Sequence, residues 1–255
     1  MDKSLLLALD IGTSSIHAMV VQASGQPLSA VSRPLQTFVP EGGPALAREI
    51  SPQVLLQDLS DAVAAALGQA KARPARIAAI GVTSQRQGVA FLDARGRELY
   101  LGPNTDLRAI LEGAAIDEEL ASEVYRVTGH LPSLMFAPAR ARWFKEHQPQ
   151  VYAKTARVLT VAGWLAYRLT GQVADEPSQA GESGLLDVAR WEHCRDLLER
   201  LGVASHWLPG LSAAGHPVGT LTAPAARTLG LSEGIPVTLA GPDTQCGVLA
   251  ITSGQ

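Results

Sequence analysis

Cysteine is nearly absent: Cys194 and Cys246 are the two thiols in 255 residues. So widely separated a pair supplies neither a disulfide framework nor metal-ligand spacing, and agrees with a reducing cytoplasm. Long apolar runs are missing too. The early run Leu5 to Leu9 stops at Asp10, too short for a signal peptide and far below the ~20 residues that span a bilayer. Basic clusters are lacking: 21 Lys+Arg stand against 24 Asp+Glu, a net charge of −3. That balance argues against binding nucleic acid or a membrane surface by bulk electrostatics. There is no Gly-x-x-x-x-Gly-Lys-Ser/Thr, Gly-x-Gly-x-x-Gly, His-Glu-x-x-His or Gly-x-Ser-x-Gly. P-loop, dinucleotide-binding, zinc-protease and α/β-hydrolase readings therefore lack support. Internal repeats and low-complexity tracts are also missing.

What is there is apolar and well punctuated. Hydrophobic residues make up 46% and charged residues 18%, the balance of a globular core rather than of disorder. Leu5 to Leu9, Ile16 to Val21 and Leu28 to Arg33 read as strands, with Ser24-Gly25-Gln26-Pro27 as a turn. Ser51-Pro52 opens a helix, the serine as N-cap and the proline in the first turn. Ile77 to Val82 is a buried strand, and Asp93-Ala94-Arg95-Gly96 is a hairpin turn. Helices are expected over Arg108 to Thr128, Pro138 to His147, Val161 to Leu169 and Arg195 to Leu201. Pro209 to Pro217 reads as loop. Val237 to Ala240 is a last strand and Thr244 to Ile251 a last helix. This order predicts an α/β fold, a mixed sheet with helices on its faces. Trp143, Trp164, Trp191 and Trp207 read as core residues.

Two acidic residues follow short apolar strands. In Asp10-Ile11-Gly12-Thr13-Ser14-Ser15, Gly12 permits close approach and a positive φ. Backbone N–H groups and hydroxyls there can surround phosphate oxygens, and Asp10 can hold Mg²⁺; a plain polar β-turn is the alternative. Asp243 sits between a strand and a helix, either as an N-cap or as a general base for a hydroxyl. Gln85-Arg86-Gln87 and Asn104-Thr105-Asp106-Leu107-Arg108 offer donors and acceptors for a polyol. Glu182 reads as a loop contact.

Six segments, in order and at similar spacing, resemble the N-terminal half of the FGGY carbohydrate kinases of the actin/hexokinase/Hsp70 superfamily. They are Leu7 to Ser15, Ile80-Gly81-Val82-Thr83-Ser84-Gln85, Asn104-x-Asp106-x-Arg108-Ala109, Trp164 to Gly171, Ser183 to Val188 and Gly241-Pro242-Asp243. Gln85-Arg86 is similar to glycerol kinases. Arg86…Gly88, Asn104-x-Asp106-x-Arg108-Ala109 and Asp243-x-Gln245 are similar to the autoinducer-2 kinase branch.

The resemblance implies an RNase H-like domain and ATP-dependent phosphorylation of a sugar hydroxyl. A ketopentose such as xylulose ranks first, then another polyol or an autoinducer-2-type hydroxyketone. A phosphatase or ATPase on the same fold, or a non-catalytic sugar-binding module, are the other readings. By similarity Asp243 is the base, Asp10 faces Mg²⁺, Gly12, Thr13 and Ser14 face the ATP phosphates, and Gln85, Arg86, Asp106 and Arg108 line the sugar pocket. Residues 1–240 would form the sugar-binding domain and 241–255 the start of the hinge and catalytic-base helix. The C-terminal ATP-binding domain is absent from this chain, which alone is expected to be inactive or nearly so. The implied partners are a small sugar or polyol and that C-terminal domain, with a homodimer left open and neither nucleic acid nor membrane expected.

Overall fold

The computed structural model describes residues 4–252. The first three strands, β1 (Leu5–Ile11), β2 (Ser15–Gln22) and β3 (Pro27–Pro34), form the expected antiparallel meander. Period-2 alternation places Leu7, Leu9, Ile11, Ile16, Ala18 and Val20 in the core, all fully buried. Helix α1 (Pro52–Gln69) starts as its cap residue dictates, Ser51 Oγ accepting the Val54 N–H at 3.4 Å. Its buried stripe of Leu55, Leu59, Val63 and Ala66 packs on β2 and β3.

Strand β4 (Ile77–Ser84) runs parallel to β1. Strands β5 (Val89–Leu92) and β6 (Glu98–Gly102) make the hairpin, its turn closed by Asp93 Oδ1, which accepts from the N–H groups of Arg95 and Arg97. Helices α2 (Ile110–Thr128), α3 (Ala137–His147) and α4 (Pro149–Lys154) lead to β7 (Arg157–Thr160) and then α5 (Val161–Thr170). Short pieces follow: β8 (Ala174–Asp175), α6 (Pro177–Glu182), β9 (Leu186–Asp187), β10 (Glu192–His193), α7 (Arg195–Arg200) and β11 (Gly210–Leu211). Strand β12 (Pro217–Thr220), helix α8 (Ala223–Leu229), strand β13 (Pro236–Leu239) and helix α9 (Asp243–Thr252) complete the chain.

The main sheet has the order β12-β13-β4-β1-β2-β3 and is mixed, as expected. Strands β13, β4 and β1 are mutually parallel, so their C-terminal ends open onto one rim. A second sheet, β6-β5-β7, lies under α2 and α3 with its own core around Phe91, Tyr100 and Phe144. Arg140, fully buried, bridges the loops above that core. Its guanidinium donates to the carbonyls of Gln87 and Pro103 and, at 3.4 Å, of Asp106.

Some expectations need correction. The helix expected from Arg108 begins at Ile110, because the Arg108 N–H turns back onto Asp106 Oδ1. The segment read as loop over Pro209 to Pro217 contains β11 and the first residue of β12. Trp164, Trp143 and Trp207 are core residues, but Trp191 is 60% exposed. Among the described residues no helix is long and apolar enough to cross a membrane.

Candidate active site

Three parallel strands deliver three loops to the shared rim. After β1 the chain reverses through Gly12 to Ser14, the Gly12 N–H donating to the Ser15 carbonyl at 2.8 Å. Gly12 does not take the positive φ expected of it. Glycine is needed there for space: a Cβ would lie 3.0 Å from the Ser15 carbonyl oxygen. The Thr13 hydroxyl accepts from Asn104 Nδ2 at 2.9 Å, and Ser15 Oγ lies 2.9 Å from His17 Nε2. The turn is thus held from both sides, with Ser14 at its tip.

Gln85 follows β4 and is 1% exposed. Its N–H donates to Ile11 O at 2.7 Å and its amide to Gly12 O at 2.9 Å, while its Oε1 accepts the Asn104 N–H at 2.8 Å. Gln85 therefore ties the β1 turn to the loop after β6. Arg86 points outward, its side chain 46% exposed and Nη1 3.8 Å from Glu182 Oε2. Glu182, at the end of α6, also accepts from Gln245 Nε2 at 2.7 Å. The carboxylate read as a loop contact thus joins the Arg86 loop to α9. Helix α6 is seated by Gln179, whose amide donates to Ser84 O at 3.3 Å.

Asp106 and Arg108, expected to line the sugar pocket, are buried. Asp106 has no exposed surface and accepts from Arg48 N–H, Tyr100 hydroxyl, Arg108 N–H and Arg108 Nε. Arg108 also donates to Glu49 at 2.8 Å and lies over the rings of Tyr100, Trp143 and Phe144. A buried ion pair satisfied on both sides supports the loop carrying Asn104; it does not face the rim.

Asp243 is the first residue of α9 rather than its cap; the Cys246 N–H bonds Pro242 O. Its Oδ1 accepts the Thr244 N–H at 2.7 Å. The segment before it is fixed to β4, Thr83 Oγ1 donating to Gly241 O at 2.7 Å. Asp10 stands within electrostatic reach of Asp243. Burial pushes the Asp10 carboxyl up to about 6, His17 opposing the shift and Asp243 adding to it. Asp10 Oδ1 is buried without a hydrogen-bond partner. An unpartnered carboxylate oxygen within electrostatic reach of a second carboxylate is chemistry suited to a hard divalent cation, so these residues fit Mg²⁺.

The family model "FGGY family of carbohydrate kinases, N-terminal domain" matches residues 5–250. The chain belongs to the FGGY carbohydrate kinases. Among curated FGGY relatives, the autoinducer-2 kinase of Klebsiella pneumoniae is 32% identical over 97% of this chain. That of Escherichia coli strain K12 / DH10B is 30% identical over 98%. The chain spans about half the length of these relatives, 47%. Xylulose kinase from Rhodospirillum rubrum superposes with a TM-score of 0.88 at 27% identity, covering 96% of this chain and 50% of that one. Plasmodium falciparum glycerol kinase with ADP shares the fold, with a TM-score of 0.86 at 16% identity, covering 98% of this chain and 51% of that one. The α/β, RNase H-like architecture inferred from the motifs is that of these FGGY structures.

Proposed function

We propose that this chain forms the acceptor half of an ATP-dependent kinase acting on a hydroxyl of a small sugar or polyol. The observation that carries the reading is the buried, unpartnered oxygen of Asp10 at the rim where β1, β4 and β13 end, with Asp243 in electrostatic reach. A hydroxyl attacks phosphorus only as its proton finds an acceptor, and in this reading Asp243 is that acceptor. Asp10, with its unpartnered oxygen, is the group to hold Mg²⁺. When bound, the cation would offset charge on the phosphate oxygens. Thr13 and Ser14 at the turn tip, beside Gly12, are the donors for those oxygens. Arg86 is the proposed contact for substrate hydroxyls, supported by its exposure beside Glu182. In this reading Gln85, Asp106 and Arg108 shape the sugar site from behind.

For the substrate, a ketopentose such as xylulose is the first candidate, supported by the fold match at 27% identity. A short hydroxyketone of the autoinducer-2 type is the second. Curated relatives named for that activity, 30–32% identical over nearly the whole chain, support it. The nucleotide half would come from a C-terminal kinase domain. The test uses this chain joined to such a domain and a panel of xylulose, glycerol, gluconate and an autoinducer-2 precursor with ATP. One panel member is expected to turn over, and Asp243→Asn is expected to lower kcat by ~10²–10⁴ with sugar affinity little changed. Full turnover in that variant would remove Asp243 from the role of base.

A further inference from the structure

Away from the rim, Glu112 in the first turn of α2 meets Glu146 and His147 at the end of α3. One ligand atom from each lies within 4.8 Å of the others. Glu112 is only 6% exposed, and its Oε2 is buried without a hydrogen-bond partner. Its other oxygen is 3.6 Å from His147 Nδ1, too long for a hydrogen bond. One oxygen of a buried carboxylate is thus left without the hydrogen bond that burial calls for.

His147 is held in place for a ligand. Its Nδ1 lies 3.1 Å from the Trp143 carbonyl, and its ring stacks flat on Trp143 with centroids 5.0 Å apart and planes 11° apart. The carbonyl and the stacked indole fix the ring beside Glu112 and leave Nε2 as the ring nitrogen free to ligate. Glu112, His147 and Trp143 line a cavity of about 480 Å³ together with Leu107, Leu111 and Gln148. The charged neighbours permit the site. Arg142 reaches Glu146 at 3.3 Å but pairs as well with Glu119 at 3.2 Å, so it can give up Glu146. Arg108 lines the same cavity, yet its guanidinium is engaged by Asp106 and Glu49.

We propose that Glu112, Glu146 and His147 bind a zinc-class divalent cation. Two carboxylates and a neutral imidazole cancel its charge, and the imidazole selects against Mg²⁺ and Ca²⁺, which take oxygen ligands. Three protein ligands leave a coordination position open to the cavity. The ion clamps the start of α2 to the end of α3, whatever chemistry the distant rim performs.

The test is calorimetric titration of the tag-free, chelator-stripped 255-residue chain with ZnCl₂ in excess Mg²⁺. One Zn²⁺ per chain is expected. Glu112→Gln and His147→Gln should each weaken it by at least ~10–100-fold, the range already seen for losing a supporting residue alone. Asp10→Asn should leave it unchanged, and X-ray absorption should show nitrogen and oxygen ligands without sulfur. Four results would overturn the assignment: no stoichiometric binding, binding that survives both substitutions, loss in Asp10→Asn, or sulfur in the coordination shell. If Glu112→Gln does not fold, as judged by circular dichroism, the half-exposed His147 carries the test.

Discussion

Asp10→Asn is expected to stabilise the protein at pH 8 and to do so far less at pH 4. The Asp10 carboxyl is raised from 3.8 to about 6, first by burial and then by the nearby Asp243, with His17 opposing. The folded protein therefore holds this proton more tightly than the unfolded chain. Unfolding releases it between those two values, so stability falls as pH rises through that window. Below it Asp10 is neutral in both states and costs nothing. Above it the fold carries a half-buried charge. A rise from 3.8 to about 6 is worth ~3 kcal/mol at about 1.4 kcal/mol per pH unit. Asp10 keeps part of its surface in water, so the expected gain is ~1–3 kcal/mol. For a domain of this size that is roughly 2–10 °C in Tm. The assay is thermal unfolding of both proteins at pH 4 and pH 8 in chelator, followed by circular dichroism. Asp175, pushed up to about 7 by burial, titrates in both proteins and cancels in the difference. Excess Mg²⁺ at pH 8 should narrow the gap by stabilising only the aspartate form. A variant no more stable at pH 8, or equally stabilised at pH 4, would refute the argument.

Other consequences are as direct. Asp106→Ala leaves Arg108 with Glu49 alone and orphans the buried Tyr100 hydroxyl, and should cost ~3–5 kcal/mol, measured by urea unfolding; a loss below ~1 kcal/mol would contradict the buried ion pair. Gly113→Ala places a Cβ 2.2 Å from the Leu134 Cα, a backbone contact that cannot swing aside. A loss of ~1–3 kcal/mol is expected from the same unfolding assay. Trp191 is exposed with φ 56, so Trp191→Gly should hold or raise stability by up to ~1 kcal/mol, left-handed strain being removed at little packing cost. A clear drop in Tm would show a packing role.

The local grammar of the chain was readable wherever one segment settles its own conformation. The meander, the Ser51 cap and the Asp93 hairpin depend on side-chain alternation, a cap and a turn, and all form as expected. The positions of Asp10 and Asp243 were legible because each lies at or just beyond the C-terminal end of a strand, β1 or β13, and both strands run parallel to β4. The roles of Asp106 and Arg108 were hidden because their partners Arg48 and Glu49 stand in a loop 58 and 59 residues away and Tyr100 in β6, and only those contacts turn a polar pair inward. Glu182 was missed for the same reason, since Arg86 and Gln245 meet it from opposite sides of the chain. Strands β7 and β12 and helices α6 and α8 escaped because segments of four to seven residues carry too little periodicity.

Arg140 has a consequence for how such a site diversifies. Its buried charge is met by the carbonyls of Gln87, Pro103 and Asp106, and a carbonyl is the one acceptor every residue type supplies. Substitutions at positions 87 and 103 therefore leave the brace intact. The loops around the proposed sugar site can drift in side chain while keeping their path, so new specificities can be sampled without first re-solving the scaffold.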